Sequence, residues 1–326
     1  MKRIARALLI SLTVLLPLTR ELSSASARGD TLADSVQASD SSLKSTRGDS
    51  TVLRVVESGM SFGSGELREP TGVAVDSRGF VYVADAMAGK VFRYSQDGSS
   101  LEFQRPPNGA TFYPIDVAVQ EAFILVLDYS RNSLLRYDCE GSYLDVLISF
   151  DQFDRMRPVS ITSGPGGRFI TTDVASNTVV LWTPLVDIEL EIGEFGQGDG
   201  RFNEPRKAAF LPNQGFVVVE SGNRRMQLFS PSGRHELTVR QAAGVDFVSP
   251  RSLSVDDAGV IFVCDSRSGR ISAFSPDGAY LAAIDSYSGH TISPAATAST
   301  WDGALYVADL KSRSILVYRL LPPREK

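Results

Sequence analysis

Short strand-like apolar runs, each closed by a turn, recur along most of this chain. The stretch from Phe195 to His235 shows the unit most clearly. A glycine-rich connector (195–203) leads to Glu204-Pro205, a short mixed-apolar run and a turn at 212–215. Phe216 to Val219 then form a β-branched strand that ends on Glu220. A tight turn at 221–224 precedes a further strand, 225–229, and the hairpin signal Ser230-Pro231-Ser232-Gly233 closes the unit. Val and Phe suit a half-buried pleated strand, and Gly, Asn and Pro supply the backbone angles that turns need.

The unit repeats. Its proline recurs at Pro70, Pro114, Pro158, Pro205, Pro250 and Pro294, at spacings of 44, 44, 47, 45 and 44 residues. Its strand-ending acid recurs at Asp85, Asp128, Asp173, Glu220, Asp265 and Asp309, at spacings of 43, 45, 47, 45 and 44. Two independent markers drifting together, with a period in the low forties built from short strands, predict an all-β fold. The expectation is a six-bladed β-propeller of four-stranded blades. Clear hairpins end four of the units (YSQDG, YDCEG, FSPSG and FSPDG), whereas the regions around Trp182 and Tyr318 are degenerate. The last unit has three strands before the chain ends. Residues 51–57 (TVLRVVE) are expected to supply the fourth, so that an N-terminal strand closes the ring and removes an exposed sheet edge.

These residues resemble NHL repeats, best over Phe195 to Gly233, Glu69 to Gly98 and Pro250 to Gly278. The resemblance implies a six-bladed propeller. It leaves function open, because the scaffold hosts both binding modules and enzymes.

The N-terminus reads differently. A basic start (Lys2, Arg3, Arg6), a 12-residue apolar stretch from Ala7 to Leu18 and Ala25-Ser26-Ala27 match a secretory signal peptide over residues 1–27. The apolar stretch falls short of the roughly 20 residues that span a bilayer, so no transmembrane segment is expected in the mature chain. The expected location is extracytoplasmic, secreted or periplasmic. Residues 28–50, rich in Ser, Asp, Thr and Ala, read as a disordered polar linker, which leaves 51–322 for the propeller. Arg-Gly-Asp occurs twice in that linker, at 28–30 and 47–49, as an adhesion signal or as a product of its composition.

The chain of 326 residues is 43% hydrophobic and 22% charged, with a net charge of −5, which does not favour nucleic acid as a partner. The six acids invite comparison with a metal ring, but each is expected to accept backbone N–H groups from its own turn. In Glu220…Arg225, Asp265…Arg270 and Asp85…Lys90, an acid and a base five residues later bracket that turn. The only two histidines, His235 and His290, fall in different units and cannot share a zinc ion. Cys139 and Cys264 fall in opposite units and are expected to be free thiols.

In a propeller the proline-bearing connectors and the turns after the acids share one face, here called the top. Cations gather there. The candidate ligand-binding residues are Arg206, Lys207, Arg251, Arg224, Arg225, Arg267, Tyr129 and Arg131, with Arg270, Lys311 and Arg313 nearby. They would suit a partner protein or an anionic small molecule or polymer, or they form a solvated rim. The expectation is therefore a monomeric binding or scaffold module without a cofactor. The alternative is a metal-dependent hydrolase of the SMP-30/gluconolactonase type. That family holds a divalent cation in the propeller channel with oxygen ligands, for which Glu69, Asp116, Glu204 and Asn223 are the candidates here.

Overall fold

The computed structural model describes residues 53–108, 111–300 and 302–321. The signal-peptide pattern, the polar linker and both Arg-Gly-Asp triplets lie outside them. The described chain is a six-bladed β-propeller of antiparallel four-stranded sheets. Five blades are continuous in sequence and begin at Pro70, Pro114, Ser160, Pro205 and Pro250. In the sixth, Pro294–Ser299, Ala304–Asp309 and Ser314–Leu321 are joined at the outer edge by Arg54–Phe62. The closing strand is longer than the sequence pattern suggests. It passes through a register shift between Glu57 and Ser61 and pairs on to Phe62, opposite Ile315.

The second strand of every blade is wholly buried, from Val81–Asp85 in the first to Ala304–Asp309 in the last. Alternation explains why these strands read as continuous apolar runs. Val81 and Val83 pack toward the sixth blade, whereas Tyr82 and Ala84 pack toward the second. Each interface between neighbouring blades therefore has its own apolar core, and a strand between two cores has no solvent face. The six inner strands follow one another around the channel in sequence order, so the second and fifth blades stand opposite each other.

Turn chemistry follows the repeat, with one exception. The bottom hairpins of blades one, two, four and five place Gly98, Gly141, Gly233 and Gly278 at φ between 79° and 85°. The degenerate hairpin of the third blade closes with the same bond, Thr183 N–H to Asp187 O, but puts Val186 at φ 70°. A β-branched residue is unfavourable there. Val186 instead packs against the core that contains Trp182, to which the third blade contributes. Both cysteines are free. Cys139 lies half-buried in a bottom hairpin, and burial pushes the Cys264 thiol up to about 12. No helix among the described residues is long and apolar enough to cross a membrane.

Phe62 locks the ring. Its ring lies 6.1 Å from that of Tyr94 in the first blade and 6.5 Å from that of Tyr306 in the sixth. Truncating it opens a cavity at the closure seam, so Phe62→Ala is expected to lower the unfolding free energy by about 3–5 kcal/mol in urea denaturation.

Candidate functional site

The top face is built by the repeated acids. Asp85 accepts the N–H groups of Arg68 (2.6 Å) and Glu69 (3.0 Å), both in the connector before its own blade, and of Ala88 (3.0 Å) in its turn. Asp265 does the same with Val248, Ser249 and Ser268. Asp128, Asp173 and Asp309 likewise join a connector N–H to turn N–H groups. The expectation that each acid serves its own turn is thus half of the picture, because the same carboxylate also fixes the incoming connector. These five acids bind backbone donors, and Glu220 accepts the Asn203 N–H and the side chains of Asn223, Arg225 and Gln227, so the six do not form a metal ring.

The bracketing bases behave unequally. Only Glu220 and Arg225 form an ion pair, at 2.6 Å, and both are fully buried. Lys90 turns away from Asp85 to Glu102 (2.7 Å), and Nε of Arg270 has no hydrogen-bond partner among the described residues.

Immediately after the marker proline, the inner strand slips by one residue against its neighbour in five blades. A β-bulge of this kind leaves one residue out of the ladder and re-aims its side chain. The bulged residues Thr71, Ile115, Arg206, Arg251 and Ala295 all line a funnel of about 340 Å³ at the top of the channel. Val159 holds the equivalent place in the third blade. The next residue along contributes Asp116, Ser160, Lys207 and Ser252, while Glu69, Tyr113 and Tyr129 complete the working part of the wall.

At the funnel floor, Lys207 Nζ reaches past the third blade to Asp116. It donates to Asp116 Oδ2 at 2.5 Å and to the Ile161 carbonyl at 2.7 Å, and the Ile161 N–H also donates to Oδ2 (2.8 Å). Gly72 makes room for this arrangement: a Cβ there would stand 2.7 Å from the Asp116 Cα and Oδ1. Lys207 also belongs to the wall of a lower chamber of about 390 Å³, so the pair stands at the waist of the channel.

Arg206 is neutralised as well. Its Nη2 donates to Glu204 Oε2 (2.8 Å) and its Nε to Ser221 Oγ (2.9 Å), while Ser221 donates to the same Glu204 oxygen (2.7 Å). The Ser221 bond, then Arg206, holds the Glu204 carboxyl below the usual glutamate range. The cluster is therefore intact above the ordinary glutamate pKa and lost only as pH falls through the depressed value.

Arg251 is different. It forms no hydrogen bond or ion pair among the described residues, although its side chain reaches solvent in the open funnel. The surrounding wall removes water from the group and the like charge of Arg206 adds to that, so its pKa is drawn below the usual arginine value. It remains a cation at neutral pH.

The remaining candidates disperse. Arg225 is a correction: it is wholly buried, binding Glu220 and the carbonyls of Gln197, Gly198 and Arg201, and is structural. Arg131 is held by Asp128 (3.3 Å) and the Pro107 carbonyl (3.2 Å), away from the funnel. Arg224 and Arg267 are exposed on the rim outside the funnel wall. Tyr129 is in the wall, with the Arg157 guanidinium 4.2 Å from its ring centroid and Tyr113 at 6.5 Å. Sequence reasoning missed Tyr113 and Arg157. Each immediately precedes a marker proline, and that offset was the signal that could have found them.

The four residues considered for a metal do not converge. Glu69 and Asp116 share the funnel, but Asp116 holds the Lys207 ammonium, Glu204 holds Arg206, and Asn223 donates to Glu220 and to the Gly196 carbonyl. No cluster of three or more His, Cys, Asp or Glu suited to a metal ion occurs among the described residues. The donor set therefore does not fit a divalent ion.

No protein-family model and no curated protein sequence matches the chain, so the NHL resemblance has no family match behind it. Solved structures do match. A gluconolactonase from Xanthomonas campestris superposes with a TM-score of 0.63 at 16% identity, covering 83% of this chain and 91% of that one. Virginiamycin B lyase from Staphylococcus aureus gives 0.57 at 15% identity, covering 84% and 90%. The calcium-binding protein regucalcin from Agrobacterium tumefaciens gives 0.59 at 12% identity, covering 80% and 93%. At such identities the likeness establishes the propeller and leaves the chemistry to the residues.

The two buried and exposed arginines should separate cleanly on mutation. Arg225→Ala strands the Glu220 charge and is expected to cost about 3–5 kcal/mol of stability. Arg251→Ala alters an unpartnered group and should stay within about 0.5 kcal/mol of the parent. Urea denaturation of both variants checks the contrast.

Proposed function

We propose that this chain is an extracytoplasmic, monomeric binding module that holds a small carboxylate-bearing ligand in its top funnel. Arg251 is the anion contact, and Tyr113 and Tyr129, from the blade opposite, supply the apolar wall. The observation that carries this reading is the uncommitted guanidinium of Arg251 inside a concave site where the neighbouring cations, Arg206 and Lys207, already have acid partners. An arginine with free donors recognises a carboxylate bidentately. A volume of about 340 Å³ lies toward the lower end of ligand pockets, which supports a small molecule over a polymer. The signal-peptide pattern supports the location, and the net charge of −5 weighs against nucleic acid.

Calorimetric titration with phenylacetate, benzoate and their neutral amides tests the reading. At least one acid should bind, its amide should not, and Arg251→Gln should weaken the acid by about tenfold or more, as loss of a charge-assisted hydrogen bond of about 1.5–3 kcal/mol requires. Amides that bind as well as the acids would sink the proposal.

The second reading is a metal-dependent hydrolase, kept in view by neighbours described as a gluconolactonase and a calcium-binding protein. It would require Asp116 to release Lys207. Equilibrium dialysis against calcium and manganese separates the two. The binding-module reading expects no stoichiometric ion on the native protein, whereas tight binding abolished by Asp116→Asn would favour the hydrolase.

A further inference from the structure

The funnel contains a second uncommitted charge. The Glu69 side chain lines the same wall as Arg251 and has no hydrogen-bond or ion-pair partner among the described residues. Its backbone N–H is the part of Glu69 that Asp85 uses, so its carboxylate is not needed for the fold. Glu69 and Arg251 sense each other, because the Glu69 charge acts to raise the Arg251 pKa, yet no ion pair joins them. The other funnel charges are matched in pairs, Arg206 with Glu204 and Lys207 with Asp116. What remains is one cation and one anion, unpaired and facing the same cavity, with the edge-to-face pair Tyr113 and Tyr129 in its wall.

From this arrangement we infer that the ligand is a zwitterion: an aromatic or apolar amino acid, or a short peptide with both ends free. This deepens the proposed carboxylate-binding function and rests on it. The carboxylate would sit on Arg251, the ammonium on Glu69 and the side chain against the tyrosines. A simple anion would satisfy Arg251 but bring its charge toward Glu69, a repulsion that counts in a partly desolvated site. A zwitterion gives both groups a partner and leaves the funnel neutral. Selection by one attractive and one repulsive contact is a common basis for specificity.

The test is calorimetric titration of the native protein with L-phenylalanine, the dipeptide Phe-Phe and the N-acetylated form of each. The inference expects at least one free zwitterion to bind about tenfold or more tighter than its N-acetyl counterpart, the better binder telling amino acid from peptide. Glu69→Gln should bring the two forms within about twofold of each other, with an unchanged melting temperature. N-acetyl forms that bind as tightly as the zwitterions, with binding lost in Arg251→Gln, would overturn the inference and leave the carboxylate function standing. No binding of any of the four, beside no binding of phenylacetate or benzoate, would overturn both.

Discussion

The carboxylate that ends each second strand is the contact on which the top face depends. It accepts N–H groups from two separate segments at once, the turn that follows it and the connector that enters its blade. Being buried, it cannot leave those bonds without a desolvation cost, and the connector N–H groups would lose their only acceptor. The connector is therefore pinned at one height in every blade. The marker proline follows within two residues, and in five blades the bulge after it turns one side chain into the channel. A structural device repeated around the ring thus creates a ring of variable positions. Most of these hold Thr, Ile, Val or Ala, and two neighbouring blades hold arginine.

The fourth blade carries a stronger version of the same clamp. Glu220 replaces the aspartate and reaches one methylene further, to a network of Arg225, Gln227 and Asn223. Arg225 in turn binds three carbonyls of the glycine-rich connector 197–201. The glycines of this connector serve its own path around the guanidinium: Gly193 and Gly200 take positive φ, and a Cβ at Gly193 or Gly196 would strike Phe202 or Arg201. A buried pair of this kind is poor evidence of net stabilisation, but removing either partner is costly. The waist pair Asp116–Lys207 obeys the same logic and fixes the depth of the funnel.

The fold was legible because the signals that encode it are local. Proline, acid and hairpin glycine each satisfy a backbone requirement within a few residues, so their period survives in the sequence. The closing strand was legible in place but not in length, since its extension to Phe62 depends on rings contributed by the first and sixth blades. The candidate site was half legible. Arg206, Lys207 and Arg251 could be placed in the channel from their offset to the proline. Whether a cation there is free could not be, because its partner comes from elsewhere in the ring. Lys207 meets Asp116 across an intervening blade, a separation of 91 residues. Arg225 looked available beside Arg224, but Arg224 ends the turn at φ 52° and is exposed, whereas Arg225 opens a wholly buried strand. Sorting the cations by partner and by place reduces a broad basic patch to a single free guanidinium in the funnel.

The funnel then reads as a site with matched charges on its floor and one flank, and an unmatched cation and anion left for a ligand. At 12–16% identity its fold neighbours speak for the propeller alone, so the chemistry rests on the residues of this chain. A crystal structure of the propeller grown with an excess of L-phenylalanine would test the central claim most directly. The account predicts density in the top funnel, with the carboxylate on the Arg251 guanidinium and the Lys207–Asp116 pair intact beneath it. Density elsewhere with the funnel holding only solvent, or an ion bound to Asp116 with Lys207 displaced, would contradict it.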